Sequence, residues 1–490
     1  MLNRYAKKSL IGLCLLIALP IIFIYITILC SRAGFDQDEF NFKSVTDNFS
    51  HYLIEPVSIV DVTNGLVLSN RQLMIANGKI VGINANGREA PAEFVAIDGQ
   101  DRYVVPGLID MHTHIYDRKD LVSSLAYGVT SLRNMRGMPM HLQFKSELQN
   151  NLWLGASIYT SSPILDNSKA DLFQHALHSP EQAAFAVKRY KEAGYDLLKV
   201  YNDLPKSILD AIIHEAEKQS MPIAKHGPYG AISNGKPDMT VLSKFQSVEH
   251  VEEIYQTLLK FDLPDSQLTL ELDLYLNQIK NSGSFLTPTL ATFDHLTELS
   301  IQKNNLVDNI ELDRISPFYR FILTHLSVQR WIDASPRQIE WNIAERETLF
   351  RITKRADQLG VPLLVGSDQG TMYLLAGQST HKEMQLMQMA GISPETILRS
   401  ATLNAAKALQ LDQHLGSVSV GKTADLLLLS NNPLDDIIHL AQPTAIIKQG
   451  QLIDSSAIEA LKDSGNKPSG WLVGIGYLAD SILTRYIETL

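Results

Sequence analysis

The stretch Val105-Pro-Gly-Leu-Ile-Asp-Met-His-Thr-His114 is an apolar run that turns polar at its end. Pro106 and Gly107 punctuate its start, and Leu108–His112 has the length and composition of a buried strand. Side chains two apart on a strand face the same way, so His112 and His114 aim at one point. Two imidazoles at that spacing make a metal site only when partners reach the same point from elsewhere in the fold.

Outward from this stretch, short apolar runs alternate with helical patterns, the signature of repeated βα units. The runs are Leu108–His112, Val129–Arg133, Ser157–Thr160, Leu197–Tyr201, Pro222–Lys225, Ser247–Glu249, Phe285–Pro288 and Pro362–Val365. Eight is the number that a closed parallel barrel needs, which predicts a (β/α)8 TIM barrel over 106–414. Residues 293–348 are too long for an ordinary connection and rich in helix formers, so a helical insertion is expected there, over the strand ends. Before the barrel, Asn64-Gly65 and Asn77-Gly78 separate β-type runs as hairpin turns do. After it, Gly421-Lys-Thr-Ala-Asp-Leu-Leu-Leu-Leu429 and Ala445-Ile-Ile-Lys-Gln-Gly-Gln-Leu-Ile453 read as strands. The expectation is a small composite β-sandwich built from 50–105 and 415–456. In the tail, 457–490, Trp471, Ile475, Leu478, Ile482 and Tyr486 fall at helical spacing. Docking on the body is the preferred reading, since a membrane-surface helix would want a basic polar face.

The class expected is therefore α/β with an N-terminal addition. Leu10 to Cys30 carries no charge and follows Arg4, Lys7 and Lys8. About 20 apolar residues suffice to span a bilayer. Residues 1–31 are read as a membrane anchor, with the basic flank in the cytoplasm and the barrel on the extracytoplasmic side. Secretion after signal cleavage is the alternative, although the apolar run exceeds the usual signal length. The only cysteines, Cys14 and Cys30, lie in this leader, so a metal site in the body must use nitrogen and oxygen ligands. A net charge of −10 argues against a nucleic-acid partner.

Further candidates sit at the ends of other runs. Lys199 closes Asp196-Leu-Leu-Lys199, and is read either as an exposed lysine or as a carbamate bridging two metals. His226 and His250 follow the fifth and sixth runs, and Asp368 follows Val361-Pro-Leu-Leu-Val-Gly-Ser367. Any one of these alone is an ordinary residue, as ten further histidines show. Together they occupy the strand ends at which barrel active sites gather. Tyr201, Asn202, Tyr229 and Arg133 are candidate substrate contacts.

Pro106-Gly-Leu-Ile-Asp-Met-His-Thr-His114, Lys199, His226, His250 and Gly366-Ser-Asp368 resemble the amidohydrolase superfamily, and most closely its Xaa-Pro and Xaa-Arg dipeptidases and imidazolonepropionase-like members. The resemblance runs over about 55–455. Asn134 stands where such relatives often carry aspartate. The resemblance implies a first metal on His112, His114 and Asp368, a second on His226 and His250, and a carboxylated Lys199 bridging them. Zinc is the expected ion, with manganese, iron or cobalt admitted by the same donors. It also implies hydrolysis of an amide-type C–N bond in a dipeptide, N-acyl amino acid or cyclic amide, with Asp368 moving the proton. Lactone or ester hydrolysis at the same site, or a dead membrane-tethered binding protein, are the competing readings.

Overall fold

The computed structural model of the chain describes residues 20–32, 50–167, 174–227, 232–233, 236–258 and 265–488. Seven of the expected runs lie side by side as parallel strands: Leu108–Thr113, Val129–Asn134, Ser157–Asp166, Leu197–Val200, Ile223–Lys225, Ser247–Glu249 and Phe285–Thr287. Parallel strands covered on both faces need apolar side chains throughout, and these strands are buried almost end to end. The eighth run differs from expectation. It joins the barrel through single bridges, Leu286 with Leu363 and Thr113 with Gln369, rather than as a ladder strand. Just past this run, the Ser367 and His112 amides both donate to Asp110 Oδ1, at 3.1 Å each. Backbone bonds from Met111 to Val365 and from Asp368 to His112 still close the barrel.

The chain ends meet in one eight-stranded sheet, not in the two-layer sandwich expected. His51–Asp61 pairs with three neighbours, and a register irregularity between Ile54 and Ile59 bends it from one to the next. Leu426–Leu429 pairs with Tyr103–Pro106, joining the C-terminal strands to the N-terminal ones. The far edge meets Thr423 again through Lys79, so the sheet wraps its own core of Ile54, Leu73, Ile75, Leu426 and Ile447.

Between the seventh strand and the closing segment, Leu290–Gln302, Pro317–Leu323 and the long Pro336–Leu359 form the helical insertion. The tail helix Trp471–Glu488 docks on the body: Tyr477 is buried and accepts from the Arg118 guanidinium at 2.6 Å. Among the described residues no helix is long and apolar enough to cross a membrane. Of the predicted span, 20–32 is helical and the earlier part lies outside the described residues. Thr27 and Ser31 are buried against Gly476 of the tail, where an added Cβ would come within 2.1 Å of the Thr27 carbonyl.

A buried ion pair fastens the sheet to the barrel. Lys448 Nζ donates to Asp425 at 2.7 Å and to the Thr130 carbonyl and Ser157 hydroxyl at 2.9 Å. Removing one partner strands the other charge. Asp425→Ala should therefore lower the unfolding free energy by about 3–5 kcal/mol in urea melts. Asp425→Leu combined with Lys448→Met should recover much of that loss, because no charge is then left buried.

Candidate metal centre

The first strand places His112 and His114 with both rings buried. The closing segment brings Asp368 to them: Oδ1 lies 2.9 Å from His114 Nε2 and 3.6 Å from His112 Nε2. Donors around one tetrahedral ion at 2.0–2.2 Å sit roughly 3.4 Å apart, so these three match a shared ion. They are the one such group of histidine, cysteine and carboxylate side chains among the described residues. The His250 ring lies 4.6 Å from that of His112 and 4.7 Å from that of His226. Lys199 is also buried, and its field acts on all four imidazoles. The fold thus gathers all six predicted ligands at one end of the barrel.

Whether these residues fit a metal is tested by the polar atoms left over. Lys199 Nζ, His114 Nδ1, His226 Nδ1 and Asp368 Oδ1 are buried without a hydrogen-bond partner. Buried polar atoms left this way are costly unless a ligand takes them up. The opposite ring edges are held. His112 Nδ1 contacts Glu249 Oε2 at 2.8 Å, which leaves its Nε2 facing Asp368. His250 Nδ1 contacts the Thr289 hydroxyl at 2.7 Å, and His226 Nε2 contacts Glu253 at 3.1 Å, leaving its Nδ1 over.

Burial sets the charge states. It pushes all four imidazoles below their usual range, and for His112 and His250 well below it, so they are neutral and able to ligate. Burial alone would raise Asp368, but His114, His112 and the Thr292 hydroxyl hold it down at about 2. Burial pushes the Lys199 ammonium down to about 8, against the pull of Glu249 and Asp368. The backbone is also constrained here: His250 and Asp368 have φ of 69° and 55°, in the left-handed region that non-glycine residues seldom adopt. Gly370 follows Asp368, and a Cβ there would meet the His114 carbonyl at 2.0 Å.

The predicted substrate contacts fare differently. Tyr201 stacks on the His226 ring at 4.1 Å, beside the centre. Asn202 bonds the Glu253 carboxylate at 2.8 Å. Tyr229 lies outside the described residues. Arg133 is corrected: it is fully buried and bonds Met111 O, Ser247 Oγ and Glu249 Oε1 at 2.6, 2.8 and 2.7 Å. With every guanidinium nitrogen engaged below the ligands, it holds the centre from beneath and does not reach the mouth. Sequence reading missed Glu249, Glu253, Thr289 and Thr292. A glutamate closing the short run Ser247-Val-Glu249, next to a candidate ligand, was the available signal for the first.

The profile of the amidohydrolase family matches residues 103–453. Adenine deaminase from Desulforamulus reducens is 22% identical over 406 residues, 82% of this chain, which spans 57% of that enzyme's length. Among solved structures, a bottromycin amidohydrolase superposes with a TM-score of 0.72 at 23% identity, covering 91% of this chain and 99% of its own. A Xaa-Pro dipeptidase crystallised with methionine superposes with a TM-score of 0.63 at 19% identity, covering 83% of this chain and 100% of its own.

Asn134 is explained by its neighbour. His141 is buried, its Nε2 contacts the Ile115 carbonyl at 2.7 Å, and its Nδ1 accepts from the Met138 amide at 2.9 Å. Asn134 Nδ2 lies 3.1 Å from the same Nδ1, and burial holds this imidazole down at about 4. An aspartate would set a carboxylate oxygen against the Nδ1 lone pair. Asn134→Asp should therefore lower stability by about 1–3 kcal/mol at pH 8. In the parent, the folded His141 value lies below the unfolded 6.5, so stability falls as pH drops below 6.5. In the variant the carboxylate raises the folded value and that fall is shallower. Urea unfolding at pH 8 and pH 5 distinguishes the two, and parallel pH dependence would contradict the assignment.

Proposed function

Because this chain belongs to the amidohydrolase family, we propose that it is a metal-dependent hydrolase of an amide-type C–N bond in a short peptide or N-acyl amino acid. The observation that carries the reading is the convergence of four neutral imidazoles, ionised Asp368 and the unpartnered Lys199 amine. His112, His114 and Asp368 would hold one divalent ion, and His226 and His250 a second, with Lys199 between them as a carbamate. The donor set is nitrogen and oxygen only, which suits zinc and also admits manganese, iron or cobalt. A bound divalent ion supplies Lewis acidity that polarises a substrate carbonyl and acidifies water at neutral pH.

The chain's own residues supply the rest. Asp368 stays ionised, and its Oδ1 faces the Nε2 atoms of His112 and His114, where it can take a proton from the attacking water. Its Oδ2 is fixed by the Thr292 hydroxyl at 3.0 Å, which sets the direction in which Oδ1 faces. The proton then passes to the departing nitrogen. The depressed Lys199 value leaves a fraction of neutral amine near pH 7, the form that adds to carbon dioxide with formation of an N–C bond and release of one proton. The helix Leu290–Gln302 packs against the centre, its Thr292 hydroxyl bonding Asp368 and its Phe293 ring meeting that of His250 edge-on at 6.3 Å. Likeness to the Xaa-Pro dipeptidase supports a dipeptide as the first substrate to try.

Metal per chain, measured on protein purified without chelator, tests the site. About two ions in the parent and one or fewer in Lys199→Ala are expected, and no metal after growth with zinc or manganese would overturn the reading. Against a mixed dipeptide library, Asp368→Asn should lower kcat by roughly 10²–10⁴-fold, the range for loss of a positioned acid-base group.

A further inference from the structure

Two helices of this chain are inside out by the standard of a fold in water. The leader helix over 20–32 buries Thr27 and Ser31 completely, while Ile21, Phe23, Tyr25, Ile26 and Leu29 are exposed. The tail helix Trp471–Glu488 buries Gly474, Gly476, Tyr477 and Ser481, and exposes Trp471, Leu472, Ile482 and Leu483. The two pack through their small residues: a Cβ on Gly476 would come within 2.8 Å of Ser31 Cβ as well as meeting the Thr27 carbonyl. The Thr27 and Ser31 hydroxyls return to the carbonyls of Ile24 and Ile28 at 2.8 Å each, so neither needs water. In water, helices pack by burying their large apolar side chains, and a contiguous apolar face marks a contact surface. In hydrocarbon that drive is absent, and helices meet through glycine, serine and threonine with the apolar side chains outward.

The insertion continues this face. A Cβ on Gly474 would meet Phe318 at 2.7 Å, and the Phe321 ring lies 5.6 Å from that of Trp471. Phe321 is 51% exposed and Leu326 70%. Beside them Arg320 pairs with the exposed Asp313 at 2.8 Å, charges that belong in water or among headgroups. The other side of this segment faces the candidate centre, since Ser316 and Leu323 line a cavity together with His114.

Sequence next to the face identifies what covers it. Between Lys467 and Asp480 the tail carries no charge, and the leader carries none from Leu10 to Ser31. Ten uncharged residues, Leu10 to Leu19, therefore run on from the described helix, and before them stand Arg4, Lys7 and Lys8, cations that suit anionic headgroups. Where both uncharged runs end, Arg32 pairs with Asp480 at 2.9 Å. We propose that leader, tail and insertion form one face that docks on a lipid bilayer, with Trp471 and Phe321 at the boundary between acyl chains and headgroups. Aromatic side chains favour that boundary. A lone surface helix wants a basic polar side, but the tail has its polar side packed on the body. Docked in this way, the metal end of the barrel lies beside the membrane. No part of the proposal rests on the hydrolase reading.

The test uses the full chain in vesicles of phosphatidylcholine and phosphatidylglycerol, made with plain or with brominated acyl chains, while tryptophan fluorescence is read. Bromine quenches tryptophans that reach the lipid, and the chain has four, of which Trp153 is buried. Brominated lipid should dim the parent, and Trp471→Phe should abolish most of that loss. Phe321→Trp in the parent should deepen the dimming, a readout that does not depend on how Trp471→Phe folds. Equal dimming of the parent and Trp471→Phe, no dimming of either, or no deepening with Phe321→Trp would each overturn the proposal. A barrel tethered by the leader alone, or a face covered by a second copy of the chain, would keep Trp471 from the lipid and give the second of these outcomes.

Discussion

Glu249 sits at the base of the centre, with Arg133 on one oxygen at 2.7 Å and the His112 imidazole on the other at 2.8 Å. All three side chains are essentially without solvent. Burial would raise the carboxyl, but Arg133, Lys199 and Ser247 keep it ionised, so it holds His112 in one orientation. A buried charge of this kind is stable only when each of its lone pairs is met, and that requirement ties together three strands at once. Arg133 stands on the second strand, Glu249 on the sixth and His112 on the first, so barrel closure and ligand geometry are the same constraint.

The insertion belongs to the centre and is not merely a cover for it. Thr289 leads into the helix Leu290–Gln302 and Thr292 lies in its first turn; they contact His250 and Asp368 respectively. Glu383, from the helix Gln378–Met389, accepts the Ala291 amide at 2.6 Å and so anchors that helix start. Burial pushes Glu383 up to about 8 despite these amide bonds. Movement of the insertion would therefore pull on two of the predicted ligands.

Legibility in the sequence followed how local each cause was. The strand runs and the histidines at their ends could be read because burial on both faces demands unbroken apolar residues, and the polar break marks the mouth. The eighth strand was legible as a position but not as a bridge-only segment, because its few bonds are to Leu286 and Met111, on strands far away in sequence. The wrapping of the end sheet depends on a bend at 54–59 that no periodicity announces.

By itself the sequence determined the barrel, the pairing of its two ends in a sheet, and the six residues that converge at the mouth, because each follows from periodicity or from position after a strand. Only the tertiary structure decided that Arg133 lies beneath the centre and not in its mouth, and that Glu249 and Thr292 orient the ligands. Those outcomes rest on which buried charge meets which partner across more than 40 residues of chain, and local patterns carry no record of such pairings.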